Sequence, residues 1–186
     1  MVQVVSRFSL SALGAVSPGI VAAVSGALGE QGCNLEDSTM TILQGQFAIL
    51  LVVTAPETTT AASLESALAP VVDRYDLVIA VRPLKDAAEG EETVAAQDSA
   101  ALTISVHGAD RPGIVHAVAG ALADGGGNVV DLSTQLVGDP DRPVYVLTLR
   151  ALAPVGSADE VAGAVMRTAG ELGVHCTVRP DDADVL

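Results

Sequence analysis

The apolar positions of the chain follow two alternating patterns. Near the start of each half, residues about 3 to 13 and about 101 to 107 are apolar at nearly every second position, which predicts a strand. Each strand is followed by apolar residues that recur every three or four positions, which predicts an amphipathic helix with one buried stripe. The predicted stripe contains Ile20, Val21, Val24 and Leu28 in the first half and Ile114, Val115, Val118 and Leu122 in the second.

The two halves look alike because the chain contains an internal repeat. Residues 10–39 align without a gap on residues 104–133, and roughly half of the aligned positions are identical. A repeat of this length indicates two copies of one structural unit rather than a single larger domain.

Two hairpin strands, a second helix and a closing strand complete each copy. The hairpins turn at polar residues, 44–46 in the first copy and a longer connection over 138–141 in the second. The second helices are expected at about 59 to 74 and 157 to 172, and the closing strands at 77–82 and 174–179. This order predicts an α+β fold of two ferredoxin-like βαββαβ domains, each a four-stranded antiparallel sheet with two helices on one face.

Composition shifts set the predicted domain boundaries. Residues 1–84 form the first domain, and the polar, acidic segment 85–100 reads as a linker. Residues 101–180 form the second domain, and 181–186 form a C-terminal tail.

Proline and glycine mark the predicted ends of the first helix in each copy. Pro18 and Pro112 are expected in the first helical turn, where a missing N–H costs nothing. Gly32 and the glycine run 125–127 are expected to supply the left-handed residue that ends the helix.

The composition excludes several classes of protein. Of the 186 residues, 49% are hydrophobic, which is enough for one or two small cores and excludes a disordered chain. The longest strictly apolar stretch, residues 47–53, is far shorter than the ~18 residues of a membrane-spanning helix. The first residues also lack a signal-peptide pattern, so we expect a cytoplasmic protein with no membrane partner.

Charge argues against direct nucleic-acid binding. Nine basic and 23 acidic residues give a formal charge of −14, which would repel a phosphate backbone. Cys33 and Cys176 match neither a disulfide framework nor a zinc signature, so both are expected to be buried thiols. His107, Asp110 and His116 lie near one another in the sequence but lack further ligands, so no metal site and no cofactor are expected.

Each two-layer unit leaves one sheet face without helices. The mean hydropathy of +0.47 is high for a chain with so few aromatic residues. We therefore expect this face to be covered by packing of the two copies and by homo-oligomerisation, most simply a homodimer.

The loop before the first helix of the second copy carries chemistry suited to a small zwitterion. Helix-start N–H groups near Pro112, Gly113 and Ile114 can hold a carboxylate. The carboxylate of Asp110 can accept hydrogen bonds from an ammonium group, and the side chain of Asn128 both donates and accepts.

These motifs resemble a known family. A strand end followed by Asp110-Arg111-Pro112-Gly113-Ile114-Val115, a helix and the segment 125–131 is similar to the ACT domain, a ferredoxin-like module that senses amino acids. The resemblance covers both copies. A chain of two such domains most resembles the glycine cleavage system transcriptional repressor group, and also the regulatory half of some phosphoserine phosphatases.

The resemblance also implies how a ligand would be held. In ACT domains that bind amino acids, the loop of one domain commonly works with the Asn that opens the second strand of its neighbour. This implies one site between the Asp110 loop and Asn34, and a mirror site between loop 16–20 and Asn128. The candidate ligand-binding residues are therefore Asp110, Arg111, Pro112, Gly113, Ile114, Asn34, Leu35, Asn128, Val129, Ser17, Gly19 and Ile20.

The two loops differ at their chemically active positions. Val16 and Ser17 occupy the positions of Asp110 and Arg111, so the first copy lacks the carboxylate acceptor. We therefore expect the site that uses the second copy's loop to be the better one.

Structural roles remain open for the same residues. Asp110 and Ser17 are both preferred helix-capping types, and capping alone would account for them. Asn34 and Asn128 lie at a helix-to-strand turn, where Asn is common for conformational reasons.

The sequence thus predicts a non-enzymatic amino-acid sensor that acts through a protein partner. The resemblance points to glycine or serine as the ligand and to transcriptional control of glycine metabolism. The alternative is a ligand-free ACT interaction module, or a detached regulatory subunit of an amino-acid biosynthetic enzyme. No catalytic activity is expected, since no nucleophile, base and orienting group come together in the sequence.

Overall fold

The computed structural model describes residues 5–84 and 99–181. The chain divides into two compact units between residues 88 and 89. Each unit has the element order βαββαβ and a four-stranded antiparallel sheet, which confirms the predicted fold class.

Unit 1 forms its sheet from strands in the order β2-β3-β1-β4. Its elements are β1 (Val5–Ala15), α1 (Ile20–Glu30), β2 (Asn34–Leu43), β3 (Gln46–Pro56), α2 (Ala61–Tyr75) and β4 (Val78–Leu84).

Unit 2 repeats this arrangement with the order β6-β7-β5-β8. Its elements are β5 (Ser99–Gly108), α3 (Ile114–Asp124), β6 (Asn128–Asp139), β7 (Arg142–Pro154), a short 3₁₀ turn (Val155–Ser157), α4 (Ala158–Glu171) and β8 (His175–Pro180).

The core of each unit lies between its sheet and its two helices. Alternate residues of the central strands point inward, and one stripe of each helix covers them. Among the described residues no polar or charged side chain is fully buried, so both cores are held by apolar burial. The predicted stripes are buried except for Val21, which is 45% exposed, and Val115, which is half-buried.

The start of α1 and α3 differs from the prediction. Pro18 and Pro112 lie in the turn before each helix rather than in its first turn, so that expectation is wrong. The cause is the next residue, because Gly19 and Gly113 adopt φ angles of 91° and 94°. This left-handed conformation lies outside a right-handed helix and favours a residue without a side chain.

The ends of α1 and α3 follow the prediction. Gly32 and Gly126 are left-handed, with φ angles of 72° and 77°. In α1 the N–H of Cys33 donates to the carbonyl of Leu28, and the N–H of Gly32 donates to the carbonyl of Gly29. This hydrogen-bond pair is the Schellman motif, which satisfies the last carbonyl groups of a helix.

The hairpin connections are both two residues long. Gln44 and Gly45 join β2 to β3 with positive φ angles, as expected for a tight hairpin. Residues 140–141 join β6 to β7, so the longer connection predicted for the second copy is wrong. Strand pairing continues to Asp139 and Arg142, which leaves only two residues for the turn.

The predicted linker and tail fall largely outside the described residues. Residues 85–98 are not described, whereas Ser99 and Ala100 belong to β5. Of the tail, only Asp181 is described, and its carboxylate pairs with Arg150 at 2.9 Å. The domain boundaries therefore stay a prediction.

The sheet face that carries no helix differs between the units. In unit 1 this open face presents Leu13, Leu50 and Val78, which are 50%, 49% and 72% exposed. Strand register places His107, Thr148 and His175 at the equivalent positions of unit 2. The apolar character expected of the open face therefore belongs mainly to unit 1.

Candidate functional site

The candidate site of unit 2 is built on the loop between β5 and α3. Residues 109–113 of this loop are exposed, while Ile114 at the start of α3 is 1% exposed and anchors the helix in the core. A Cβ atom at Gly113 would have no atom within 4 Å, so the backbone here faces open space. A ligand can therefore approach the helix start closely.

The first turn of α3 has no side-chain cap. Gly113 occupies the N-cap position and no side chain within residues 99–181 accepts a hydrogen bond from the first helical turn. The same holds for Gly19 and α1 within the described part of unit 1. Capping therefore does not account for Asp110 or Ser17, and the positive end of each helix dipole stays available.

Arg111 supports the loop. Its Nη1 atom donates a hydrogen bond to the carbonyl oxygen of Leu172 at 3.1 Å. Leu172 lies at the C-terminal end of α4, where a basic side chain is stabilised by the last carbonyl groups. Arg111 therefore ties the loop to α4, which assigns it a positioning contact within unit 2.

Asp110 lies near two side chains that local sequence pattern does not reveal, Tyr145 and Thr134. Burial raises the pKa of the Tyr145 hydroxyl, the negative charge of Asp110 raises that pKa further, and a hydrogen bond with Thr134 lowers it. Tyr145 lies opposite Gly108 on β7, and Thr134 lies on the neighbouring strand β6. Asp110, Tyr145 and Thr134 therefore form a polar cluster beside the start of α3.

A comparison of the two copies could have revealed this cluster. Tyr145 occupies the position of Phe47. Phe47 pairs with Gly14 of β1, and Tyr145 pairs with the equivalent Gly108 of β5. The repeat offset likewise places Thr134 at the position of Met40. Three apolar positions of unit 1 are thus polar in unit 2. The replacements are Val16 by Asp110, Met40 by Thr134 and Phe47 by Tyr145.

The equivalent place in unit 1 is an apolar groove of about 470 Å³. Its wall is formed by loop 16–20, the start of α1 and the ends of β2 and β3. The lining includes Val16, Ser17, Gly19, Ile20, Met40, Ile42 and Phe47. The hydroxyl of Tyr75 would lie 3.0 Å from a Cβ atom at Gly19, so this helix start is more enclosed than that of α3.

The two candidate Asn residues open β2 and β6 at the sheet end opposite the loops. Asn34 pairs with Thr54, which also pairs with Arg7 near the start of β1. Loop 16–20 begins nine residues further along the chain, about 30 Å away at the usual rise per residue. Asn128 is separated from loop 109–113 in the same way.

Neither unit therefore brings its own loop and Asn together. Asn34, Leu35 and Asn128 are exposed and Val129 is half-buried, and each stands just before a register shift in its strand. The pairing of each loop with the Asn of the other unit stays a prediction.

The two cysteines are free thiols. Cys33 and Cys176 are half-buried against the two cores and are not joined to each other. Burial raises the pKa of both thiols, which lowers the fraction of reactive thiolate. Within residues 5–84 and 99–181 there is no group of three or more metal-ligating side chains, and no helix long and apolar enough to cross a membrane.

Comparison with solved structures finds chains that match both units. An unknown protein from Galdieria sulphuraria is 27% identical, with a TM-score of 0.80, over 96% of this chain and 99% of that one. A proposed glycine cleavage system transcriptional repressor is 15% identical, with a TM-score of 0.66, over 96% and 98% of the two chains. At this identity the second likeness shows the fold alone.

An ACT domain protein from Streptococcus pneumoniae is 26% identical over 42% of this chain and 89% of that chain, with a TM-score of 0.39. No curated protein matched the chain.

The sequence model of the ACT domain matches residues 6–82, which span unit 1 from β1 to β4. Unit 2 repeats both the sequence and the fold of unit 1. Unit 1 therefore matches the ACT domain in sequence, and unit 2 repeats its fold.

Proposed function

We propose that the chain is a non-enzymatic regulatory protein that binds a small amino acid at the loop of unit 2. The observation that carries this proposal is the Asp110 carboxylate beside the uncapped start of α3. The helix-start N–H groups provide donors for a ligand carboxylate, and Asp110 provides an acceptor for its ammonium group. An amino acid carries both groups.

We infer a small ligand from the residues around Asp110. Tyr145 is half-buried, Thr134 is exposed on the neighbouring strand, and the charge of Asp110 raises the pKa of Tyr145, so the two hydroxyl groups form a polar wall near the carboxylate. Such a wall favours a short or hydroxylated side chain over a long apolar one. Glycine and serine fit this description, in agreement with the resemblance to glycine cleavage repressors.

Asn34 is proposed to complete this site from the other unit. Asn128 lies at the far end of its own sheet and is about 25 Å from loop 109–113 along the strands. An Asn that serves this loop must therefore come from another unit. The mirror combination of loop 16–20 with Asn128 lacks the carboxylate, since Val16 replaces Asp110.

The regulatory readout is proposed to run through a protein partner. A ligand held by residues of two units favours the arrangement in which the two parts of the binding site meet. Only such differential affinity shifts a conformational equilibrium. The net charge of −14 disfavours direct contact with DNA, so transcriptional control would require a partner that binds DNA.

NMR spectroscopy of the ¹⁵N-labelled chain tests the ligand site directly. Titration with glycine or serine is expected to shift the amide signals of Gly113, Ile114 and Val115 and to leave those of Gly19 and Ile20 in place. Asp110→Asn is expected to weaken the response, while Asp124→Asn at the far end of α3 should not change it. Shifts confined to loop 16–20 would contradict the proposal.

A ligand-free interaction module is the second candidate, and the apolar open face of unit 1 favours it. Leu13, Leu50 and Val78 leave a large exposed apolar area of the kind that marks an interface. In that case a biosynthetic enzyme would co-purify with the chain, and adding amino acids would not alter the amount recovered.

A further inference from the structure

Two histidines face each other on the open face of unit 2. His107 on β5 and His175 on β8 are direct register partners in neighbouring antiparallel strands. Their ring centroids are 4.5 Å apart, their planes are inclined by 53°, and both residues are exposed. Local spacing in the sequence groups His107 with His116 instead, because strand pairing over 68 residues cannot be read from local spacing.

The separation of the two rings suits one shared metal ion. Imidazole nitrogens bind at about 2.0–2.1 Å, which places each ring centroid about 3.2 Å from the ion. Two rings that bind at right angles then have centroids about 4.5 Å apart, and at the tetrahedral angle about 5.2 Å apart. The observed 4.5 Å matches the right-angled case.

The surroundings leave room for further ligands on the ion. The pair Ser105 and Thr177 follows on the same face, and Val146 flanks His107 on β7. Cys176 packs against the core on the opposite face, so its thiol is not part of this pair. Since no third metal-ligating side chain of the described residues joins the pair, water would fill the remaining positions.

We propose that His107 and His175 chelate one divalent late transition-metal ion per chain, with Cu²⁺ and Ni²⁺ preferred over Zn²⁺. Right-angled coordination is the geometry of square-planar and tetragonal sites, which favour copper and nickel. The proposal does not depend on the amino-acid site, because it uses the open sheet face and none of the loop residues.

Unit 1 provides a natural reference for this site. Leu13 and Val78 pair at the equivalent register position, so the same fold carries two aliphatic side chains there. The histidine pair is thus specific to unit 2 and is not required for the packing of the fold. Exchanging the histidine pair of unit 2 with the Leu13 and Val78 pair of unit 1 therefore changes the side chains at equivalent positions of the same fold.

Titration calorimetry of the untagged chain with Ni²⁺ tests the proposal. One ion per chain is expected to bind. The double variant His107→Leu/His175→Val, which copies unit 1, is expected to lose more than about tenfold in affinity, the scale on which even outer-shell partners act. The matched control His116→Gln changes the third histidine, on α3, and should bind as the parent chain does.

A transplant provides the converse test. Leu13→His/Val78→His in unit 1 is expected to add a second ion per chain. The proposal is overturned if the parent chain binds no Ni²⁺, or if the double variant keeps the parent affinity. It is also overturned if His116→Gln loses as much affinity as the double variant does.

Discussion

At the scale of single residues, the chemistry of the molecule is concentrated where the two copies differ. Asp110, Thr134 and Tyr145 stand at positions that hold Val16, Met40 and Phe47 in unit 1. Among the described residues, neither core contains a fully buried polar side chain, and unit 1 has apolar residues at these three positions. The cluster therefore marks a place where solvent or a ligand meets the protein.

The ionisation of Tyr145 tests whether this cluster exists in solution. Burial and the Asp110 charge both raise its pKa, so in a Tyr75→Phe background the remaining tyrosine should ionise above its ordinary value of about 10. Asp110→Asn is expected to lower that midpoint without restoring the ordinary value, because burial is the larger cause. Ultraviolet absorbance during a pH titration measures it.

The same shift has a consequence for stability. A hydroxyl whose pKa is higher in the folded state favours folding fully below the unfolded pKa of about 10, and this contribution is lost as the pH rises through the folded pKa. Tyr145→Phe should reduce the loss at high pH, whereas Asp124→Asn should leave it unchanged. If Asp110→Asn left the ionisation midpoint of Tyr145 unaltered, the Asp110 carboxylate would not lie near that hydroxyl.

At the scale of elements, each helix start is determined by a left-handed glycine rather than by a capping side chain. Gly113 both ends the loop and leaves the first N–H groups of α3 uncapped. The ligand-binding chemistry and the local backbone conformation therefore rest on the same residue.

Opposite effects are expected for two glycine substitutions in this region. Gly113→Ala should destabilise the fold by about 1 kcal/mol or more, because a side chain disfavours a φ of 94°. Gly120→Ala, inside α3 with no atom within 4 Å of the new Cβ, should stabilise it by about 1 kcal/mol. Urea unfolding of both variants measures the difference, and equal effects would refute the account of the helix start.

Periodicity predicted most of these elements and their order. The buried positions of α1 and α3, the tight turn at Gln44 and the left-handed Gly32 all follow from local pattern. The exact start of each helix could not be predicted from local pattern. A proline near a helix start occurs both in the first helical turn and in the turn before it, and the local sequence is the same in both cases. Tyr145 and His175 were missed because each acts with a partner that only strand pairing brings near.

At the scale of the whole molecule, the two units share a fold but expose different surfaces. The open face of unit 1 is apolar, and that of unit 2 carries histidine and threonine at the equivalent positions. We propose that the apolar face of unit 1 is buried in a homodimer, since exposed apolar area of this extent is typical of an interface.

Sedimentation of matched variants tests the homodimer. Leu50→Asp in unit 1 is expected to convert the dimer to monomers, because it places a charge in the apolar interface. Thr148→Asp makes the same change at the equivalent position of unit 2 and should leave the dimer intact. A monomeric parent chain, or dissociation by Thr148→Asp alone, would contradict the proposed interface.

The central claim is that the loop of unit 2 binds a small amino acid, and calorimetric unfolding against all twenty amino acids tests it most directly. At about one hundred times its dissociation constant, a ligand adds about 2.7 kcal/mol to the stability. For a chain of this size that raises the unfolding midpoint by roughly 5 to 10 °C. The account predicts such a rise for glycine or serine that is lost in Asp110→Ala, and a flat response to all twenty would contradict it.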